Sequence, residues 1–182
     1  ALPIFAVNIK IGVILQGAET PFMKEVLKGI QEACAEVDNL GGTVLVHKIE
    51  HQNAEDVILA MEKMRMEEVR GIAMVPLDEE RVKREIDRFV EEFRIPVVTF
   101  TSDVEDTKRL CFVGQNGVQC GRAAAGLMGE LTGGKGKVVV ISGYSTNTSL
   151  SSRVVGFREE IARKYPGIEI IGPEYCFEEN GR

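Results

Sequence analysis

The sequence is poor in metal ligands: it has two histidines, His47 and His51, and neither stands in an HExxH motif or beside a cysteine pair. Without that ligand pattern no metal centre is expected. The four cysteines, Cys34, Cys111, Cys120 and Cys176, are far apart and form no CxxC pair. They read as free thiols in a reducing compartment rather than as a disulfide framework. No stretch approaches the roughly 18 to 20 apolar residues of a membrane-crossing helix, and residues 1–7 are too short and uncharged for a signal peptide. A soluble, cytoplasmic chain is therefore expected, although a leader cleaved earlier would leave no trace. Basic charge is scarce as well. Lys and Arg number 22 against 28 Asp and Glu, for a net charge of −6, and the two signs are mixed along the chain. Autonomous nucleic-acid binding needs a clustered basic face and is not expected.

Catalytic motifs are also missing. Gly129 to Lys135 fits GxxxxGK, but Gly136 stands where a phosphate loop needs Ser or Thr, and the segment lies between a helix and the next strand rather than the reverse. No GxGxxG follows the first strand, so a dinucleotide fingerprint is absent. Ser149, Ser151 and Ser152 lack the glycine-flanked elbow of a hydrolase nucleophile and suit a helix start better. Cys111 has no histidine near it in sequence, which weakens a thiol-catalyst reading. The chain is expected to have no enzymatic activity and no cofactor.

What is present is alternation, in a chain of 182 residues that is 44% apolar and long enough for one large domain or two small ones. Lys10 to Gln16 (KIGVILQ) is a nearly unbroken apolar run, as in a strand buried on both faces. Thr20 then reads as an N-cap with Pro21 at the first helical position, followed by Phe22, Val26, Ile30, Ala33 and Val37 at helical spacing. The unit repeats. Thr43 to Val46, Gly71 to Val75, Val97 to Phe100 and Leu110 to Val113 read as strands. Helices fall over Ala54 to Met64 and after Asp78, taken as a cap, with Val82, Ile86, Phe89, Val90 and Phe93 inward. After Gly114 the pattern restarts: a small-residue helix around Gly121 to Leu131, broken by Gly133, Gly134 and Gly136, then a strand over Lys137 to Ile141. A helix over Arg153 to Arg163 and a last strand over Ile168 to Ile171 complete it. Strands separated by helices imply right-handed crossovers and a mainly parallel sheet. The expected division is a first lobe, 1–113, of four to five βα units, and a partial second lobe, 114–182, with a hinge near Gly114 and Gln115. Two strands are too few for a self-sufficient second sheet. Exposed sheet edge and apolar helix surface are therefore expected there, in a fragment of a longer chain or a lobe completed by another chain.

Ligands of open parallel sheets bind beyond the carboxyl ends of the strands. Those loops carry Gln16, Thr20, Phe22, Ser102, Asp103, Asn147 and Arg153. An aromatic face with amide, hydroxyl, carboxylate and guanidinium groups suits a polyhydroxylated molecule. Plainer roles exist: Thr20 as a helix cap, Phe22 in the core, Asp103 in a turn.

Four stretches, in this order, carry a resemblance: IGVILQGAETPFMKEVLKGIQEA, VRGIAMVPLDEE, IPVVTFTSDVEDTKRLCFVGQNGVQCGRAAAGLM and GGKGKVVVISGYSTNTSLSSRVVGFREEI. They span nearly the whole chain, which resembles the superfamily of periplasmic sugar-binding proteins and LacI-type regulators. The resemblance implies an α/β fold of the type I periplasmic-binding-protein kind: two Rossmann-like lobes with parallel sheets, the second truncated here, and a sugar or similar ligand held between them. By position it places sugar-stacking and polar contacts on Phe22, Met23, Thr20 and Gln16, further contacts on Thr101 and Ser102, a sugar-gripping arginine at Arg153 and a second aromatic at Phe177. Many sugar binders of the family have Asp where this chain has Thr101, leaving neighbouring Asp103 as the candidate carboxylate.

The KRLCFVGQN and GRAAAGLM wording is more similar to the regulators. The resemblance thus implies the effector-binding core of a LacI-type transcriptional regulator, a homodimer when complete, in which ligand shifts the population of lobe arrangements. Operator DNA would be bound only through a helix-turn-helix head, for which residues 1–8 are too short. The alternative is an exported sugar-binding protein of an ABC transporter, periplasmic or extracellular.

Overall fold

The computed structural model describes residues 9–16, 20–143 and 145–175. Two compact units divide the chain between Val113 and Gly114. The first contains β1 (Lys10–Gln16), α1 (Pro21–Asn39), β2 (Thr43–Ile49), α2 (Ala54–Met66), β3 (Ile72–Met74), α3 (Glu80–Glu91), β4 (Val97–Phe100) and β5 (Cys111–Val113). Its sheet has the order β2-β1-β3-β4-β5, and every neighbouring pair is parallel.

The unbroken apolar run of β1 is explained by its two covered faces. Ile14 and Met74 pack with Val57, Met61 and Met64 of α2 and with Val82, Ile86 and Phe89 of α3. Val13 and Leu15 turn the other way, against Met23, Val26, Leu27 and Ile30 of α1. Each fully buried side chain of this size contributes about 1.5–3 kcal/mol relative to exposure, and Ile14, Leu15, Met61, Met74, Ile86 and Phe89 are all inaccessible to solvent.

The second unit contains α4 (Gly117–Thr132), β6 (Lys135–Ser142), α5 (Thr148–Lys164) and β7 (Gly167–Tyr175), with β6 and β7 paired in parallel. Its smaller core joins Ala125, Val138, Phe157, Ile161 and Ile168. Leu127, Leu131, Val139 and Ile141 stand exposed, the uncovered apolar surface expected of a two-stranded pair.

Several element ends differ from expectation, each for a local reason. Asp78 does not cap α3. It pairs with Lys83 at 2.9 Å, while Glu79 occupies the cap position without a capping side-chain bond. Helix α5 starts five residues before Arg153 because the Asn147 side chain accepts from the Ser149 N–H, which supplies the cap. Gly133 ends α4 in the left-handed conformation (φ 64°), as helix-terminating glycines do. Gly136 lies inside β6, paired with Ile168, rather than in the break.

Candidate functional site

In the first unit the strand order reverses direction between β1 and β3, and a ligand crevice of an open parallel sheet forms at such a switch point. Gln16 ends β1 on this edge. Thr20 caps α1: its hydroxyl accepts from the Met23 N–H at 3.1 Å, and Pro21 follows at the first helical position. Met23 is buried in the core with Val13, Leu15 and Val75. Its neighbour Phe22 is 62% exposed, so the ring lies outside the core and is available at the helix start.

The loop after β4 is held by a latch. Thr99, fully buried in β4, donates from Oγ1 to Asp103 Oδ1 at 2.7 Å, and Arg109 donates to Asp103 Oδ2 at 2.5 Å. Charge-assisted bonds of this kind are about twice as strong as neutral ones. Both oxygens of Asp103 thus hold the loop closed. The Ser102 N–H donates to the Phe100 carbonyl at 2.7 Å and the Thr101 N–H to that of Val113 at 3.1 Å. Between these anchors Thr101 adopts φ 60°, a left-handed conformation that is an outlier for a β-branched residue. Such strain persists only where the surroundings impose it, and it concentrates at functional sites.

In the second unit Asn147 is buried, with Oδ1 accepting from the Ser149 hydroxyl at 2.8 Å as well as from its N–H. Arg153 sits in the second turn of α5, partly exposed, and donates to Gln115 Oε1 at 3.1 Å. It borders an apolar concavity with Ala124, Val138, Ile141, Ser142 and Phe157. Phe177 lies outside the described residues.

The first unit therefore brings Thr20 and Phe22 to the same strand edge as Thr101, Ser102 and Asp103, while Asn147 and Arg153 share one helix start in the second. Two participants escaped the sequence reading. Arg109 follows Asp103 by six residues in the same loop, and that acid-to-base spacing was the available signal. In sequence Gln115 reads only as a hinge position, and nothing in its neighbours marks it as a partner of Arg153.

Elsewhere the two histidines have ordinary surroundings. His51 Nδ1 is 3.1 Å from Asp56 at the start of α2, and burial with the nearby Lys63 charge lowers the pKa of His47. Among the described residues no three histidine, cysteine or acidic side chains cluster as metal ligands, and no helix is long and apolar enough to cross a membrane.

No curated protein matches the sequence significantly. Among solved structures, the chain is similar to an ABC-transporter solute-binding protein from Burkholderia graminis in complex with D-arabinose (26% identity, TM-score 0.83, 93% of this chain and 57% of that one). It is similar too to a sugar-binding protein of a sugar ABC transporter from Bacillus halodurans (27%, TM-score 0.75, 92% and 56%). A candidate LacI transcriptional regulator from Bacteroides fragilis shares the fold (20%, TM-score 0.83, 94% and 61%). The chain thus spans less than two thirds of the length of these structures. With a match to the periplasmic binding protein domain over residues 11–181, this α/β chain belongs to that family, whose type I fold the parallel sheet with helices on both faces displays.

Proposed function

We propose that the chain belongs to a receptor that binds a small sugar without changing it chemically. The observation that carries this reading is the exposed Phe22 ring at the carboxyl edge of the first sheet, on the edge that also carries Thr20, Thr101 and Ser102. An aromatic ring covers the C–H face of a sugar, while hydroxyl and amide groups exchange hydrogen bonds with its hydroxyls. In the second unit Arg153, bordering an apolar concavity of its own unit, is a charge-assisted donor of the kind that grips hydroxyls. Solute-binding proteins at 26–27% identity, one holding D-arabinose, support a small sugar such as a pentose and a role in capture for transport.

A second reading, the effector core of a LacI-type regulator acting as a homodimer in the cytoplasm, is favoured by Cys34, Cys111 and Cys120, which are free thiols of a kind that persists in reducing compartments. Fractionating cells that express the natural gene separates the two: an exported protein favours capture, and retention on chromosomal DNA favours regulation.

The binding itself is tested by a thermal-shift screen against pentoses, hexoses, polyols and nucleosides, followed by calorimetry on the hit. Arg153→Ala should weaken binding by about 2 kcal/mol. A screen in which no sugar or polyol shifts the melting temperature would overturn the reading.

A further inference from the structure

The opposite pole of the first sheet, where its strands begin, carries an unexplained concentration of positive charge. Because β1, β3 and β4 are adjacent and parallel, the residues leading into them come together. Lys10 opens β1, Arg70 precedes β3, and Arg94 precedes β4. The Arg70 N–H donates to the Lys10 carbonyl at 2.8 Å, and that of Ile72 to the Pro96 carbonyl at 2.9 Å, which fixes these entries side by side. With Arg65 they rim a concavity of about 550 Å³, with Phe93 in its wall and Glu68 as its one carboxylate. Four cations against one acid stand out in a chain whose net charge is −6.

Part of this charge has a structural purpose. Helices α2 and α3 end near this pole, and the negative end of a helix attracts cations. Lys10 Nζ donates to the Glu67 carbonyl just past α2 at 3.1 Å. Arg65 donates to Glu62 at 2.8 Å, and its guanidinium lies 4.7 Å from the Phe93 ring centroid. Arg70 and Arg94 differ. Both are exposed, and among the described residues neither has an ion-pair or side-chain hydrogen-bond partner. Arg94 moreover holds the left-handed conformation at φ 57°, as does Glu68 at φ 60°, so two non-glycine residues of one rim carry backbone strain.

We propose that this pole is a second ligand site, for a small phosphate-bearing anion held between Arg70 and Arg94. Adjacent strands run about 4.8 Å apart, so guanidinium groups entering β3 and β4 can address one phosphate from two sides, each with paired N–H donors. Arg65, already fixed by Glu62 and Phe93, adds a third cation without having to be ordered. The volume leaves room for a small organic group attached to the phosphate. Lying at the far end of the sheet from Phe22 and Thr101, such an anion binds without competing with a sugar.

The test is calorimetric titration of the protein with inorganic pyrophosphate, inorganic phosphate and citrate at low ionic strength. Wild type is compared with Arg70→Gln/Arg94→Gln, with each single variant, and with Arg84→Gln, a cation on α3 outside the concavity. The expected result is saturable pyrophosphate binding, weaker phosphate binding and weaker citrate binding. The double variant should lose at least tenfold in affinity while Arg84→Gln retains wild-type values. Equal thermal melts of the ligand-free proteins would establish that the variants fold. Absence of saturable binding, citrate binding as tightly as pyrophosphate, or equal losses in Arg84→Gln and the double variant would each overturn the site.

Discussion

A β-carbon placed on Gly121 would stand 2.0 Å from the carbonyl oxygen of Arg153, so α4 and α5 meet there backbone against backbone. Gly156 makes the reciprocal approach, 2.0 Å from the Val118 carbonyl oxygen. Neither obstacle is a side chain that can rotate away. Gly121→Ala should therefore force the helices apart and destabilise the second unit by about 1–3 kcal/mol. Gly126, on the same helix, has nothing within 4 Å of a β-carbon, and Gly126→Ala should stabilise by about 0.5–1 kcal/mol through helix propensity. Thermal melts of the two variants should move in opposite directions, and a Gly121→Ala melt at the wild-type temperature would contradict the packing.

The latch at Asp103 leads to a second prediction. Asp103 and Arg109 are each 18% exposed at the side chain, and Arg109 Nε is buried with no partner among the described residues. Removing the carboxylate leaves this guanidinium partly buried without its counter-charge, a more costly outcome than losing a surface pair. Asp103→Ala should destabilise the first unit by about 2–3 kcal/mol. The paired change Asp103→Ala/Arg109→Met should recover part of that loss in chemical denaturation. If the single and double variants were equally unstable, the latch would have no pairwise energy.

Two carboxylates where α2 meets α3 should respond to pH in opposite senses. Burial, aided by the negative charge of Glu62 and opposed by Arg88, holds the Glu85 carboxyl above the usual range. Folded Glu85 thus keeps its proton to higher pH than unfolded Glu85, and stability falls as pH rises through that interval. Glu85→Gln should be more stable than wild type at pH 7, with the difference vanishing below about pH 4. For Glu62, burial raises the pKa, but the hydrogen bonds and charges of Arg65 and Arg88 outweigh it and lower the value. Its contribution is present above the ordinary carboxylate value and lost as pH falls through the depressed one. Glu62→Gln should accordingly be less stable at pH 7 and equal to wild type in strong acid, as denaturation midpoints measured across pH would show.

Much of this architecture was legible in the sequence because the signals were periodic. KIGVILQ reads as a strand covered on two faces, and Thr20-Pro21 as a helix start, from residue chemistry alone. The serine cluster at 149–152 reads as a helix start, but the apolar periodicity begins only at Arg153; the capping bond from Ser149 to Asn147 fixes the start of α5 at Thr148. At the candidate site, Phe22 is ambiguous in sequence because an aromatic on a helical stripe suits a core as well as a ligand, and only its exposure in the fold separates the two. The Asp103–Arg109 contact leaves only a weak local trace, the six-residue spacing of acid and base, whereas the Gln115–Arg153 contact depends on how α4 and α5 fold together, information no local pattern contains.

The exposure of Phe22 makes the ring separable from stability. Phe22→Ala removes little buried area, so the melting temperature should stay within the range of ordinary surface substitutions, about 0.5 kcal/mol. Sugar affinity should fall about tenfold or more, as aromatic anchors of binding sites do when truncated. Calorimetry that found unchanged affinity would remove Phe22 from the site, and a large loss of stability would instead return it to the core.

Thr101 offers the sharpest separation of fold from function. Its φ of 60° is imposed from both sides, by the hydrogen bond of its own N–H to Val113 and by the Ser102 turn onto Phe100. For a β-branched residue the left-handed region costs about 1–2 kcal/mol, and asparagine tolerates it far better. If folding alone had shaped this position, threonine would be a poor occupant. Thr101→Asn should therefore stabilise the first unit by about 1 kcal/mol, raising the melting temperature by roughly 2–4 °C. The same variant should bind sugar more weakly, because the longer amide displaces a hydroxyl presented at the carboxyl edge of β4. A gain in stability with undiminished affinity would leave the strain without a functional purpose and take Thr101 out of the ligand contacts. A loss of stability would mean that the hydroxyl itself supports the turn.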